Sequence, residues 1–287
     1  MISFPLILAT CVTGLCEGIF IKKYNAKHTK GGFVFTAMVS LFSMLFFVIT
    51  DSGGFDFRAD MIPYGVISGI FYAGASVLTF IALACGPFAI SMLILSYAGV
   101  FSIGYGFFFL NETVNAFKIV GILLIFLSLY LNRTQKSEHE RKASFKWFVC
   151  ISISVIGSGM FGVVQKMQQV KFQNQVTNEF MIVTLGFSAV ALAVIGFIKD
   201  GKDTFYILKN GAPYFSLAGI SNGITNYLGL ALNMLLELSL LSPIKSGARI
   251  IFTFVVSKLL FKEKFINRQL AAVIVGAVAI VLINIKI

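Results

Sequence analysis

The sequence predicts an all-α polytopic membrane protein, with ten transmembrane helices in two inverted five-helix repeats. Three observations predict it. The composition is too apolar for water, the apolar residues fall into runs of bilayer-spanning length, and the two halves of the chain share short matches in the same order.

Of 287 residues, 57% are hydrophobic and 12% charged, with mean hydropathy +0.90 and 31 Phe against one Trp. Soluble domains carry roughly 25% charged residues, so this chain has too little polar surface to cover itself. A hydrocarbon core about 30 Å thick asks about 20 apolar residues of each helix, so ten crossings consume the chain and leave no room for a soluble domain.

Interruptions by charge, Gly, Asn and Pro bound the segments at 2–21, 32–50, 62–83, 87–110, 114–131, 147–166, 178–198, 212–233, 239–261 and 268–286. The first run has no Lys or Arg before it and exceeds a signal-peptide core, so it is expected to stay as a spanning helix. A basic connection containing Arg133, Lys136, Arg141 and Lys142 divides the chain. The units are 1–131, a first five-helix repeat; 132–146, the connecting loop; and 147–287, a second five-helix repeat.

The repeat is read from paired segments. PYGVISGI from Pro63 matches PYFSLAGI from Pro213 at an offset of 150, and Leu78 and Leu228 continue the register. Gly18 and Lys22 match Gly162 and Lys166 at offset 144, and Glu112 matches Glu263 at offset 151. A unit with an odd number of crossings re-enters the membrane from the opposite face, so two such units are inverted, as in many secondary transporters.

The segments from Ser91 and from Ser242 each end an apolar run in a short turn and a Glu: LNE at Glu112, with Gly121 nine residues on, and FKE at Glu263, with Ala272 and then Gly276. In this they resemble the drug/metabolite transporter superfamily, EamA type, over essentially the whole chain. Ala272 departs from the usual Gly. The resemblance implies a secondary transporter with a central cavity between the repeats, lined mainly by helices one, three, four, six, eight and nine. It implies no particular cargo.

Ionisable groups inside spanning helices are costly and are functional suspects by default. Glu17, in LCEGIF, could exchange a proton or pair with a cationic substrate, as the acidic residue in the first helix of small multidrug exporters does. It could also snorkel to the membrane edge, one turn away, or pair with a Lys. Lys245 and Arg249, in SPIKSGARII, lie four apart on one helical face and call for an anion. A structural pairing with Glu17 or Glu237 is the other reading. Pro243 favours a helix start near Ile244, whereas a start near Ser239 would carry Arg249 toward the bilayer centre. Asn222 and Asn226 stand where the first repeat has Tyr72 and Ser76, and could orient a polar substrate or bond between helices. Tyr97 and Gln165 are weaker examples. Glu112 and Glu263 lie at turns and suit helix capping.

Other signals carry no chemistry. GFIKDGKD from Gly196 approximates a phosphate-binding loop, but Asp203 replaces the Ser or Thr and the run leaves a spanning helix rather than a strand. The pairs Gly14/Gly18, Gly65/Gly69 and Gly219/Gly223 read as small-residue packing. Cys11, Cys16, Cys85 and Cys150 lie in apolar runs without a CxxC pair, and His28 and His139 stand in basic loops, so no disulfide, metal site or cofactor is expected. The net charge of +11 sits in short loops, which excludes nucleic acid as a partner and points to the bilayer. Loops after the odd-numbered segments hold 16 Lys and Arg and the other side holds five, so the positive-inside rule places both termini outside, where the resemblance implies inside.

The expected function is alternating-access transport of a small polar metabolite across a bacterial inner membrane, without enzymatic activity. Whether the cargo is anionic or zwitterionic, and whether a proton or another ion is coupled, stays open. One rival is a proton-coupled exporter of cationic or aromatic compounds through Glu17. A lipid-modifying enzyme would need a His, Asp or Ser cluster at one interface, and a channel a filter loop or charge ring; neither is visible.

Overall fold

The computed structural model describes residues 3–28, 31–51, 54–110, 116–131 and 145–260, and beyond them Arg268, Ala271, 274–276, 278–279 and Leu282. Its regular structure is helical throughout: α1 (Ser3–Lys27), α2 (Gly32–Thr50), α3 (Ile62–Cys85), α4 (Phe88–Leu95), α5 (Gly99–Phe109), α6 (Ala116–Leu131), α7 (Phe145–Lys171), α8 (Thr177–Lys199), α9 (Thr204–Leu235) and α10 (Leu238–Leu260). Among the described residues, six stretches are long and apolar enough to cross a membrane: Pro5–Lys27, Gly32–Thr50, Ile62–Cys85, Ile90–Phe109, Phe145–Lys171 and Thr177–Lys199. The protein is an integral membrane protein. Outward-facing side chains such as Phe108, 83% exposed, and Ile198, 76% exposed, are solvated by lipid.

The nine segments from 2–21 to 239–261 each fall on helix, and the tenth, 268–286, lies mostly outside the described residues. Four segments differ from their expected course. The first and sixth segments continue past Ile21 and Lys166 to Lys27 and Lys171. Their last turns need no lipid, because Lys22 and Lys166 are held by carbonyls of neighbouring helices. The fourth segment is broken by a 3-10 turn, Ser96–Ala98, where the Ser96 carbonyl accepts the Ser246 hydroxyl of α10 at 3.0 Å. The eighth starts at Thr204 rather than near residue 212 and takes Pro213 inside it. Pro213 removes one ladder donor. At 1.5 Å per residue this 32-residue helix is about 48 Å long, more than a bilayer core.

Helices of the two halves interleave. α1 lies against α9 as α7 lies against α3, and α2 packs on α8 and α9 while α8 packs on α3. Small residues set these distances. A methyl at Gly219 would lie 2.5 Å from the Phe42 Cβ and 2.7 Å from the Val39 carbonyl oxygen of α2; one at Gly69 would lie 2.9 Å from the Thr184 carbonyl oxygen of α8. In lipid, where apolar burial gives helices little reason to associate, such close backbone packing supplies the attraction. Gly65 and Gly223 extend the same two contacts, so both pairs do the packing expected of them. Gly14 and Gly18 do not fit that reading alone, because they open onto a cavity.

Candidate functional site

The cavity lies between α1, α3, α7, α9 and α10, with contributions from α2 and from the broken α4–α5 crossing, and has a volume of about 290 Å³. All six helices expected to line it do so; Thr36 and Val39 of α2 join them. Glu17, Tyr72, Asn222, Asn226, Lys245 and Arg249 all reach it.

Asn222 is the junction of one end of this group. Its Oδ1 accepts from the Ser43 hydroxyl at 2.8 Å, the Tyr72 hydroxyl at 2.9 Å and the Asn226 Nδ2 at 2.9 Å. Its Nδ2 donates to Glu17 Oε2 at 3.0 Å. Four helices, α1, α2, α3 and α9, thus meet on one carboxamide. An amide oxygen offers two lone pairs, so three donors compete for it and one can be drawn away cheaply. Beside this hub the Thr225 hydroxyl donates to that of Thr13 at 2.8 Å.

The cations occupy another part of the cavity wall. A methyl at Gly229 would lie 3.4 Å from the Lys245 Nζ, and one at Gly14 would lie 3.8 Å from an Arg249 guanidinium nitrogen. The glycines therefore leave space in front of both cations. Among the described residues, neither side chain has a hydrogen-bond or ion-pair partner, and the described ion pair is Arg58 with Asp56 on the surface. Among the described residues no close ion pair joins either cation to Glu17 or Glu237, the other reading of the basic residues, although Glu17 and Arg249 are near enough for their charges to interact.

Two helix ends bear on these residues. Glu17 is ten residues from the end of α1, about 15 Å at 1.5 Å per residue, because the helix runs on to Lys27. Its partner is the Asn222 amide rather than a Lys. α10 begins at Leu238, so Pro243 sits past its first residues and Arg249 is about 16 Å along it.

Gln165 also lines the cavity and donates to the Met181 sulfur at 3.4 Å. Tyr97 does not reach it; its ring stacks on Phe126, with centroids 6.1 Å apart. Glu112, Glu263 and His139 lie outside the described residues. His28 faces the Tyr206 hydroxyl at 3.0 Å, far from the cavity group. Sequence reasoning missed Ser43, which sits in an apolar run without periodic signal, and Asn233, Ser242 and Ser246. Thr225, three residues after Asn222, shared a helix face with it and was within reach of that reasoning.

The arrangement is a polar cavity walled by spanning helices. Residues 3–134 match the EamA-like transporter family, a family of membrane transporters in the drug/metabolite transporter superfamily, and the match covers the LNE turn at Glu112 on which the resemblance was first drawn. A crystal structure superposes with a TM-score of 0.70 over 97% of this chain and 97% of that one, at 12% identity. At that identity the likeness is one of fold. No curated protein matches the sequence.

Proposed function

We propose that the protein is a ten-helix secondary transporter of the bacterial inner membrane, built from two inverted five-helix repeats and working by alternating access on a small anionic or zwitterionic metabolite. Residues 1–131 and 147–287 form the repeats. Equivalent residues making equivalent contacts support the inversion. Lys27 of α1 lies over the Tyr214 ring at 5.8 Å, and Lys171 of α7, its counterpart at offset 144, lies over the Tyr64 ring at 4.8 Å. Lys22 donates to the Leu83 carbonyl as Lys166 donates to that of Asn233, and Asn25 binds the Phe80 carbonyl as Gln169 binds that of Leu230. Tyr72 and Asn222, equivalent at offset 150, touch each other, as positions near a two-fold axis must.

The single observation that carries the cargo is the cationic pair. Lys245 and Arg249 face a polar cavity with no carboxylate in close ion-pair contact among the described residues and only one, Glu17, within reach of the Arg249 charge, and charge left inside a membrane protein needs a counter-charge or water. An acidic group of the cargo supplies it. Glu17, on the opposite repeat, takes the ammonium of a zwitterion or a coupling proton. A purely cationic cargo would have to share the cavity with two like charges, which disfavours the exporter reading.

The test is a thermal-shift screen of the purified protein against panels of simple carboxylates and phosphates, zwitterionic amino acids, and organic amines. Anions or zwitterions are expected to raise the melting temperature, by about 2.7 kcal/mol of stabilisation at one hundred times Kd. Stabilisation by amines alone would sink the reading.

A further inference from the structure

The two ends of the cavity differ in polarity at equivalent positions. Toward the C-termini of α1 and α3 the sequence places Ile21, Tyr24 and Leu83. At offsets of 144 and 150, toward the C-termini of α7 and α9, it places Gln165, Gln168 and Asn233. Each of these three is answered by an amide at the other end, while Asn25 and Gln169 are amides at both.

The packing follows this difference. Tyr24 is fully buried, with its ring 4.4 Å from that of Phe35, 5.9 Å from Tyr214 and 6.0 Å from Phe80. Leu83 and Phe88 are fully buried beside them, and Met92 and Phe88 close over Gly18, within about 3 Å of where its Cβ would stand. At the other end Gln168 is fully buried, yet neither its Oε1 nor its Nε2 has a partner among the described residues; the equivalent Asn25 Oδ1 and Gln169 Oε1 both lack one and do not distinguish the ends. The cavity itself is displaced toward that end. On α1 and α7 it reaches the equivalent residues Ile21 and Gln165, but it extends to Asn233 on α9 and Leu241 on α10, whereas on α3 it stops at Thr79, one turn short of Leu83. Buried amides without partners are strongly disfavoured in a dry interior, and sites of this polarity ordinarily hold water.

We propose that the end bounded by Gln165, Gln168 and Asn233 is the hydrated route by which cargo reaches the cavity, and that the Ile21, Tyr24 and Leu83 end is the closed, apolar gate. The assignment rests on the inverted-repeat reading above for its pairing of positions. It does not depend on the cargo. In the resting protein, water and small polar solutes pass the amide end, and the aromatic end opens only when the repeats rearrange.

The experiment compares Asn233→Cys with Leu83→Cys, each in protein whose four native cysteines are replaced by Ala, in nanodiscs that leave both faces open to a membrane-impermeant sulfonate methanethiosulfonate reagent. Asn233→Cys is expected to label roughly tenfold faster, since the thiol behind the apolar gate must wait for an opening event. Equal rates, or faster labelling of Leu83→Cys, overturn the assignment. Hydrogen exchange on the unsubstituted protein provides a second readout that needs no variant. The last turn of α9 should exchange faster than the last turn of α3, and the reverse order also overturns it. Because neither measurement uses a transported compound, a wrong cargo class would leave these results unchanged, and a wrong gate would leave the thermal-shift screen unchanged.

Discussion

Arg249→Gln is expected to abolish transport of the anionic or zwitterionic compound that stabilises the protein, while the variant inserts normally and stays monodisperse. The guanidinium has no partner among the described residues to lose, so its removal leaves no buried group stranded. What is lost is a charge-assisted bond to cargo, worth about 1.5–3 kcal/mol, which corresponds to roughly a 10- to 150-fold weakening of binding. Glu17→Gln is expected to stop transport for a different reason. Its amide oxygen can still accept from the Asn222 Nδ2, so the hub survives, but the negative charge of the cavity is gone. Binding in the thermal-shift assay and uptake into proteoliposomes should therefore separate the two variants, with Arg249→Gln failing in both and Glu17→Gln failing mainly in uptake. Normal transport by both would make the charged residues structural.

Asn222→Ala is expected to be the most destabilising single change in the cavity. It removes the acceptor of Ser43, Tyr72 and Asn226 and the donor to Glu17 at once. Each buried group left without a partner is disfavoured by about 1–3 kcal/mol, although members of one network do not add simply. Tyr72→Phe, which removes one donor from an oxygen that three compete for, should cost little by comparison. Melting temperatures of the two variants in the same detergent decide it, and an Asn222→Ala protein no less stable than Tyr72→Phe would show that the hub is not a structural junction.

Much of this was legible in the sequence because the membrane writes in a simple code. Apolar runs near 20 residues and basic loops located nine of the segments, and the PY…GI pair suggested the proposed relation of the halves. The charged residues of the cavity were legible for the same reason, since Glu17, Lys245 and Arg249 are conspicuous in apolar runs. Helix ends were not. α1 and α7 continue as helix for about a turn and a half beyond their apolar runs, because Lys22 and Lys166 reach carbonyls on α3 and α9 that only the folded chain brings near. The break at Ser96–Ala98 was equally hidden, since it follows from a hydroxyl on a helix about 150 residues away. Ser43 and Thr13 could not be singled out, because a hydroxyl in a spanning helix usually bonds its own helix, as Thr10 and Thr36 do here.

On the proposed reading, the unequal charge of the two repeats also subjects the carrier to the membrane potential. With formal charges on Glu17, Lys245 and Arg249, the empty cavity bears one net positive charge and the cavity holding a monoanion bears none. Moving one elementary charge through the whole field changes the energy by about 2.3 kcal/mol per 100 mV, and a cavity that changes the face it opens to moves through part of that field. In the proposed cycle voltage then acts on the return of the empty carrier and spares the loaded step. Net uptake into liposomes should respond to an imposed potential while one-for-one exchange of the same monoanion should not, and net uptake indifferent to voltage would contradict this charge assignment. A cell with such a carrier would draw on its resting potential to set the direction of flux, with no ion gradient required.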